Sequence, residues 1–155
     1  MPRFNRGFTV VELMVTLVVV AILVTLALPA FDGVFERTRA DTDMGELRRA
    51  LSSARLEAIN KSMSMSVVMT GDDWGGTLEI RTGDGTDPDG VVRKLPGMAS
   101  GATVTATDDI DALQFNSLGG LESPSSEVVF NYTRGDSSKS VSVCPTGRII
   151  AGDGC

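Results

Sequence analysis

The chain has 155 residues, a formal net charge of −6, 42% hydrophobic side chains and no histidine. That length allows one soluble domain beside a short membrane segment. The missing histidine removes the usual general base, the commonest metal ligand and every Ser-His or Cys-His dyad. The acidic balance excludes broad non-specific attraction to nucleic acid, although it leaves room for a local basic patch.

Arg3 and Arg6 precede Gly7, and an apolar run then covers residues 8–28 with Glu12 as its only charge, stopping at Pro29. As a helix rising about 1.5 Å per residue, this run spans roughly 32 Å, about the hydrocarbon thickness of a bilayer. Its β-branched residues are poor helix formers in water. In lipid, only a helix satisfies its own backbone hydrogen bonds within one segment. The run therefore reads as a membrane helix. Basic residues before it and acidic residues beyond it place the N-terminus on the cytoplasmic side. A cleaved secretory signal is the competing reading, but Glu12 interrupts the run, the run is long, and Leu28-Pro29-Ala30 is a poor cleavage site. A carboxylate inside such a helix points to a cationic partner. The plainer alternative is that Glu12 stabilises the helix N-terminus through the macrodipole.

Beyond Gly33, Met44, Leu47, Leu51, Ala54 and Ala58 recur at steps of three and four, which predicts a helix with one core-facing stripe ending near Lys61-Ser62. Strand signals follow at 65–69, 77–81, 91–95, 103–106, 112–115, 127–132, 140–144 and 148–150, separated by Gly- and Asp-rich turns. The expected fold is α+β, with a long N-terminal helix on a mainly antiparallel β domain. The expected organisation is 1–7 leader, 8–30 transmembrane helix, 31–62 amphipathic continuation and 63–155 globular domain.

Cys144 and Cys155 are the only cysteines. On the oxidising side of a membrane they would close a loop worth roughly 3 kcal/mol on the chain-entropy model; the alternative is two free thiols. Asp84, Asp87 and Asp89 sit among glycines but lack the alternation and closing glutamate of a calcium loop, so no metal site is assigned. Asp108, Asp109 and Asp111 read the same way. Arg134-Gly135-Asp136 predicts a hairpin turn rather than an adhesion motif. Asn131-Tyr132-Thr133 is a sequon by pattern only.

Gly7-Phe8-Thr9-Val10-Val11-Glu12-Leu13, with the apolar run and Pro29, resembles the N-terminal signal of type IV pilins and type II secretion pseudopilins. The resemblance implies the type IV pilin fold, with the helix kinked near Pro29. It also implies cleavage by prepilin peptidase between Gly7 and Phe8, then N-methylation of Phe8, which would take the side-chain charge from −6 to −8. Glu12 would direct assembly by pairing with the Phe8 amine of a neighbouring subunit, where stranding the buried charge costs about 3–5 kcal/mol. Residues 54–61, Trp74-Gly75-Gly76 and Thr146-Gly147-Arg148 resemble the GspH/FimT group of minor pilins and pseudopilins, which includes FimU-like minor pilins.

That group implies a non-enzymatic subunit without cofactors, placed at or near a filament tip to prime assembly. Its partners would be prepilin peptidase, other major and minor pilins or pseudopilins, and the inner membrane, with the C-terminal domain periplasmic before assembly. A C-terminal disulfide between Cys144 and Cys155 favours the pilus over a GspH-type secretion pseudopilin. Some FimT-like relatives bind DNA through Gly-Arg-x-Arg. Here Gly147-Arg148-Ile149-Ile150 keeps the first arginine and lacks the second, leaving Arg134, Lys139 and Arg148 as the DNA-contact candidates.

Overall fold

A threonine starts the helix. In the computed structural model, which describes residues 8–98 and 101–155 (the side chains of 26–32 excepted), Thr9 Oγ1 accepts the backbone N–H of Glu12 at 3.2 Å. The helix α1 then covers Val10–Lys61. Thr9-Val10-Val11-Glu12 is the sequence of a capping box, with Thr9 as N-cap and Glu12 three positions on. At the other end Ser62 takes φ 52° while Ser62 N–H bonds Ile59 O and Met63 N–H bonds Ala58 O, both at 3.2 Å. This is a Schellman motif with serine where glycine is favoured.

Two compact units divide the chain between Phe35 and Glu36. In the first, the apolar side chains from Val10 to Val24 are 48–73% exposed on every side of the helix. Thr16 and Thr25 return their hydroxyls to the carbonyls of Leu13 and Ile22, each at 2.8 Å. Among the described residues no helix is long and apolar enough to cross a membrane. The predicted run of 8–28 continues into 26–32, whose side chains, Pro29 among them, lie outside the described residues, as does Gly7.

The second unit contains the predicted stripe. Met44, Leu47, Leu51, Ala54 and Ala58 are buried, joined by Ala40, Ala50 and the carboxylate of Asp43. Among the described residues nine antiparallel strands follow: β1 Met65–Met69, β2 Leu78–Thr82, β3 Val91–Leu95, β4 Thr103–Ala106, β5 Ala112–Phe115, β6 Leu121–Ser123, β7 Val128–Arg134, β8 Ser137–Val143 and β9 Ile149–Ala151. They form two sheets, β3-β2-β1-β5-β6 and β4-β7-β8-β9. Strand β6, three residues long, was not predicted, and the division into two sheets is new. β7 alternates as a half-buried strand should: Val128, Phe130 and Tyr132 face the core, while Asn131 and Thr133 are exposed. The predicted hairpin joins β7 to β8 through Gly135-Asp136, with Gly135 at φ 52° in the first central position, where type II′ turns require glycine.

Candidate functional site

Capping explains part of Glu12 without any partner. Its backbone N–H is taken by Thr9, and its carboxylate stands in the first turn, where the helix dipole favours negative charge. The carboxylate is exposed, in the midst of an exposed apolar surface, with Phe8 also 71% exposed. Sequence reading had singled out Glu12 but not Thr9, although the Thr-x-x-Glu spacing was there to find.

The three motif segments beyond the signal are structural fastenings. Trp74 is buried edge-on to Phe130, with ring centroids 4.8 Å apart, and its Nε1–H donates to Ile110 O at 2.8 Å. Arg55 leaves the helix to donate from Nε to Gly119 O at 2.8 Å and from its second terminal nitrogen to Thr146 O at 3.5 Å. Gly119 and Gly147 both take positive φ, and a Cβ at Gly147 would lie 1.7 Å from Gly119 O. No side chain fits there. Residues 54–61 and Thr146-Gly147-Arg148 thus meet at one point, with the turn after β5 between them.

Beside this fastening, Cys144 and Cys155 are joined, with Cα atoms 5.6 Å apart. Cys144 N–H bonds Arg148 O at 2.8 Å and Gly147 N–H bonds Cys144 O at 2.7 Å, so the disulfide anchors on a tight turn.

A buried polar pair lies deeper. Tyr132 O–H donates to Asp43 Oδ2 at 2.8 Å across the helix–sheet contact. Desolvation in the core, and then the Asp43 carboxylate, push the phenol up to about 12. Glu79, nearly buried on β2, receives Lys94 at 2.7 Å and Arg81 at 2.6 Å. The hydrogen bond from Lys94, followed by that from Arg81, holds its carboxyl below the usual range.

The DNA-contact candidates do not form one patch. Arg134 pairs with Ser137 at the hairpin end of β8, whereas Arg148 lies beside Cys144 at the far end. Those ends are separated by six strand steps, roughly 20 Å. Lys139 is held by an ion pair to Asp41. The aspartates of the glycine-rich loop serve their own turn: Asp84 accepts Thr86 O–H at 2.7 Å and Thr86 N–H at 3.0 Å, and Asp87 caps Asp89 N–H at 2.9 Å. The Thr86 hydroxyl, then its backbone N–H, lowers the Asp84 carboxyl.

A long helix packed on antiparallel sheets, with an apolar N-terminal run headed by a capped glutamate, is the type IV pilin architecture. The chain belongs to the family described as type II transport protein GspH, which matches residues 43–147. The prokaryotic N-terminal methylation motif matches residues 2–28. Among solved structures it is similar to the type IV minor pilin FimU of Pseudomonas aeruginosa strain PAO1. The identity is 27%, the match covers 76% of this chain and 91% of that one, and the TM-score is 0.70. A second crystal form of FimU gives 26% identity, 73% and 92% coverage, and a TM-score of 0.66. The minor pseudopilin EpsH of the Vibrio cholerae type 2 secretion system shares the fold at 14% identity, 72% and 94% coverage, and a TM-score of 0.51. No curated protein sequence matches. The family and these neighbours are pilins and pseudopilins, not enzymes.

Proposed function

We propose that this chain is a minor pilin of a type IV pilus, made as a membrane-anchored precursor and incorporated at or near the filament tip to prime assembly. The observation that carries this reading is the helix Val10–Val24, exposed and apolar on all sides with Glu12 as its one charge. An all-round apolar helix needs an apolar surrounding. Lipid supplies it first and the helices of other subunits supply it later. The threonine hydroxyls in the run are satisfied within the helix, so Glu12 is the one polar group left seeking a partner there. Prepilin peptidase would cut between Gly7 and Phe8, and the methylated Phe8 amine of a neighbour would meet Glu12. The chain itself carries out no catalysis.

The second reading is a GspH-type pseudopilin of type II secretion, favoured by the family description. The similarity to FimU and the Cys144–Cys155 bond support the pilus. Mass analysis of mature protein is expected to begin at methylated Phe8, and an intact Met1 would refute processing. Glu12→Ala is expected to remain in the membrane fraction while its content in sheared filaments falls at least about tenfold, the scale of a stranded buried charge. Unchanged incorporation would sink the assembly role of Glu12.

A further inference from the structure

One cavity in the globular unit is lined as though for a charged guest. It is a slot of about 110 Å³ between the helix and the segment after β3, walled by Leu47, Trp74, Leu95, Pro96 and Met98. Asp43 and Glu46 stand at the same slot, three residues apart on one face of the helix. That volume would hold several waters, and each water needs about two to four polar partners. The apolar wall offers few. Asp43 is 8% exposed, and its Oδ2 takes the Tyr132 hydroxyl. Among the described residues Glu46 pairs with Arg49, at 2.7 Å, and both side chains are more than half exposed. Such an exposed pair is weak and readily exchanged.

We propose that this slot receives one arginine side chain projected by a neighbouring filament subunit. The clause about the neighbour rests on the filament reading above; the chemistry of the slot does not. An arginine stem is apolar and suits the Leu47, Leu95 and Pro96 walls, while its planar fork can meet two carboxylates at once. The surrounding acidity of the chain steers a basic partner toward the site. A neutral apolar guest would pair with neither carboxylate, and an anionic guest would be repelled by both.

The test uses the full chain in detergent micelles with labelled methionine methyls. Met98 lines the slot and reports on it. Titration with n-butylguanidinium is expected to move the Met98 methyl signal saturably. Binding should weaken about tenfold or more in Asp43→Asn with Glu46→Gln, or when n-butanol replaces the cation, because the guest then loses a buried charge partner. A Met98 signal that does not move would overturn the proposal. So would equal affinity for butanol, or binding indifferent to the two substitutions. This readout needs no filament, so its failure is separable from failure of the pilus reading. In cells, incorporation of the double variant at the unaltered level, with butylguanidinium binding lost, would overturn the neighbouring subunit as the source of the arginine.

Discussion

Residues 10–25 and residues 40–58 belong to one helix, yet their apolar side chains meet different fates. The first set is exposed all round. The second buries a single stripe, and that stripe is completed by strands from the far end of the chain. Helical structure is common to both, so it is the pattern of polar residues that separates them. A continuous apolar surface needs an external surrounding, whereas an amphipathic one needs only its own domain. Stability of the globular unit should therefore respond to its internal contacts and be indifferent to the exposed run.

The sharpest way to break that contrast is Trp74→Ala. Losing a buried indole with its edge contact and its bond to Ile110 should cost about 4 kcal/mol in denaturant unfolding. Leu17→Ala, on the exposed run, should shift the same curve by less than about 0.5 kcal/mol in micelles. Equal effects would erase the distinction. Next in size, Cys144→Ser with Cys155→Ser should lower stability by about 3 kcal/mol, and reductant should do the same to the unaltered chain.

Tyr132 sharpens the comparison through pH. It is the only tyrosine, so ultraviolet absorbance titrates it alone. Burial, and then the bond to Asp43, favour the neutral phenol, and the native value of about 12 exceeds the ordinary value of 10. Its stabilising contribution is therefore complete below pH 10 and is lost as pH rises through about 12. A midpoint near 10 in folded protein would place Tyr132 in water. The smallest effect is a gain. Ser62→Gly removes a side chain from a left-handed position and should add about 0.5–1 kcal/mol, readable as a raised denaturation midpoint.

Much of this arrangement was written locally. Met44, Leu47, Leu51, Ala54 and Ala58 show the helical period, and β1, β3, β4 and β5 are β-branched or apolar runs cut off by turn residues; all were legible. β2, β7, β8 and β9 were legible to within three residues at their ends. β6 was not, because Leu121–Ser123 is too short to show alternation and earns its place by pairing with β5. The split into two sheets depends on non-local pairing, which no window of sequence carries. The same holds for the Asp43–Tyr132 pair and for the convergence of Arg55, Gly119 and Gly147. The resemblance pointed to residues 54–61 and 146–148, and only the structure showed that they touch. The three basic residues, near in sequence, sit on different elements: Arg134 ends β7, Lys139 lies on β8 and Arg148 precedes β9.

The fastenings of the stripe span long stretches of chain: 89 residues from Asp43 to Tyr132, 91 from Arg55 to Thr146 and 98 from Asp41 to Lys139. A ribosome therefore finishes the helix long before the strands that cover it exist. For that interval Leu47 and Leu51 remain bare. Non-local topologies close slowly, and naked apolar stripes adhere to one another while they wait. Newly made chains should accordingly depend on a holding factor during synthesis, and overproduction should send them into inclusion bodies more readily than the finished domain's stability would suggest.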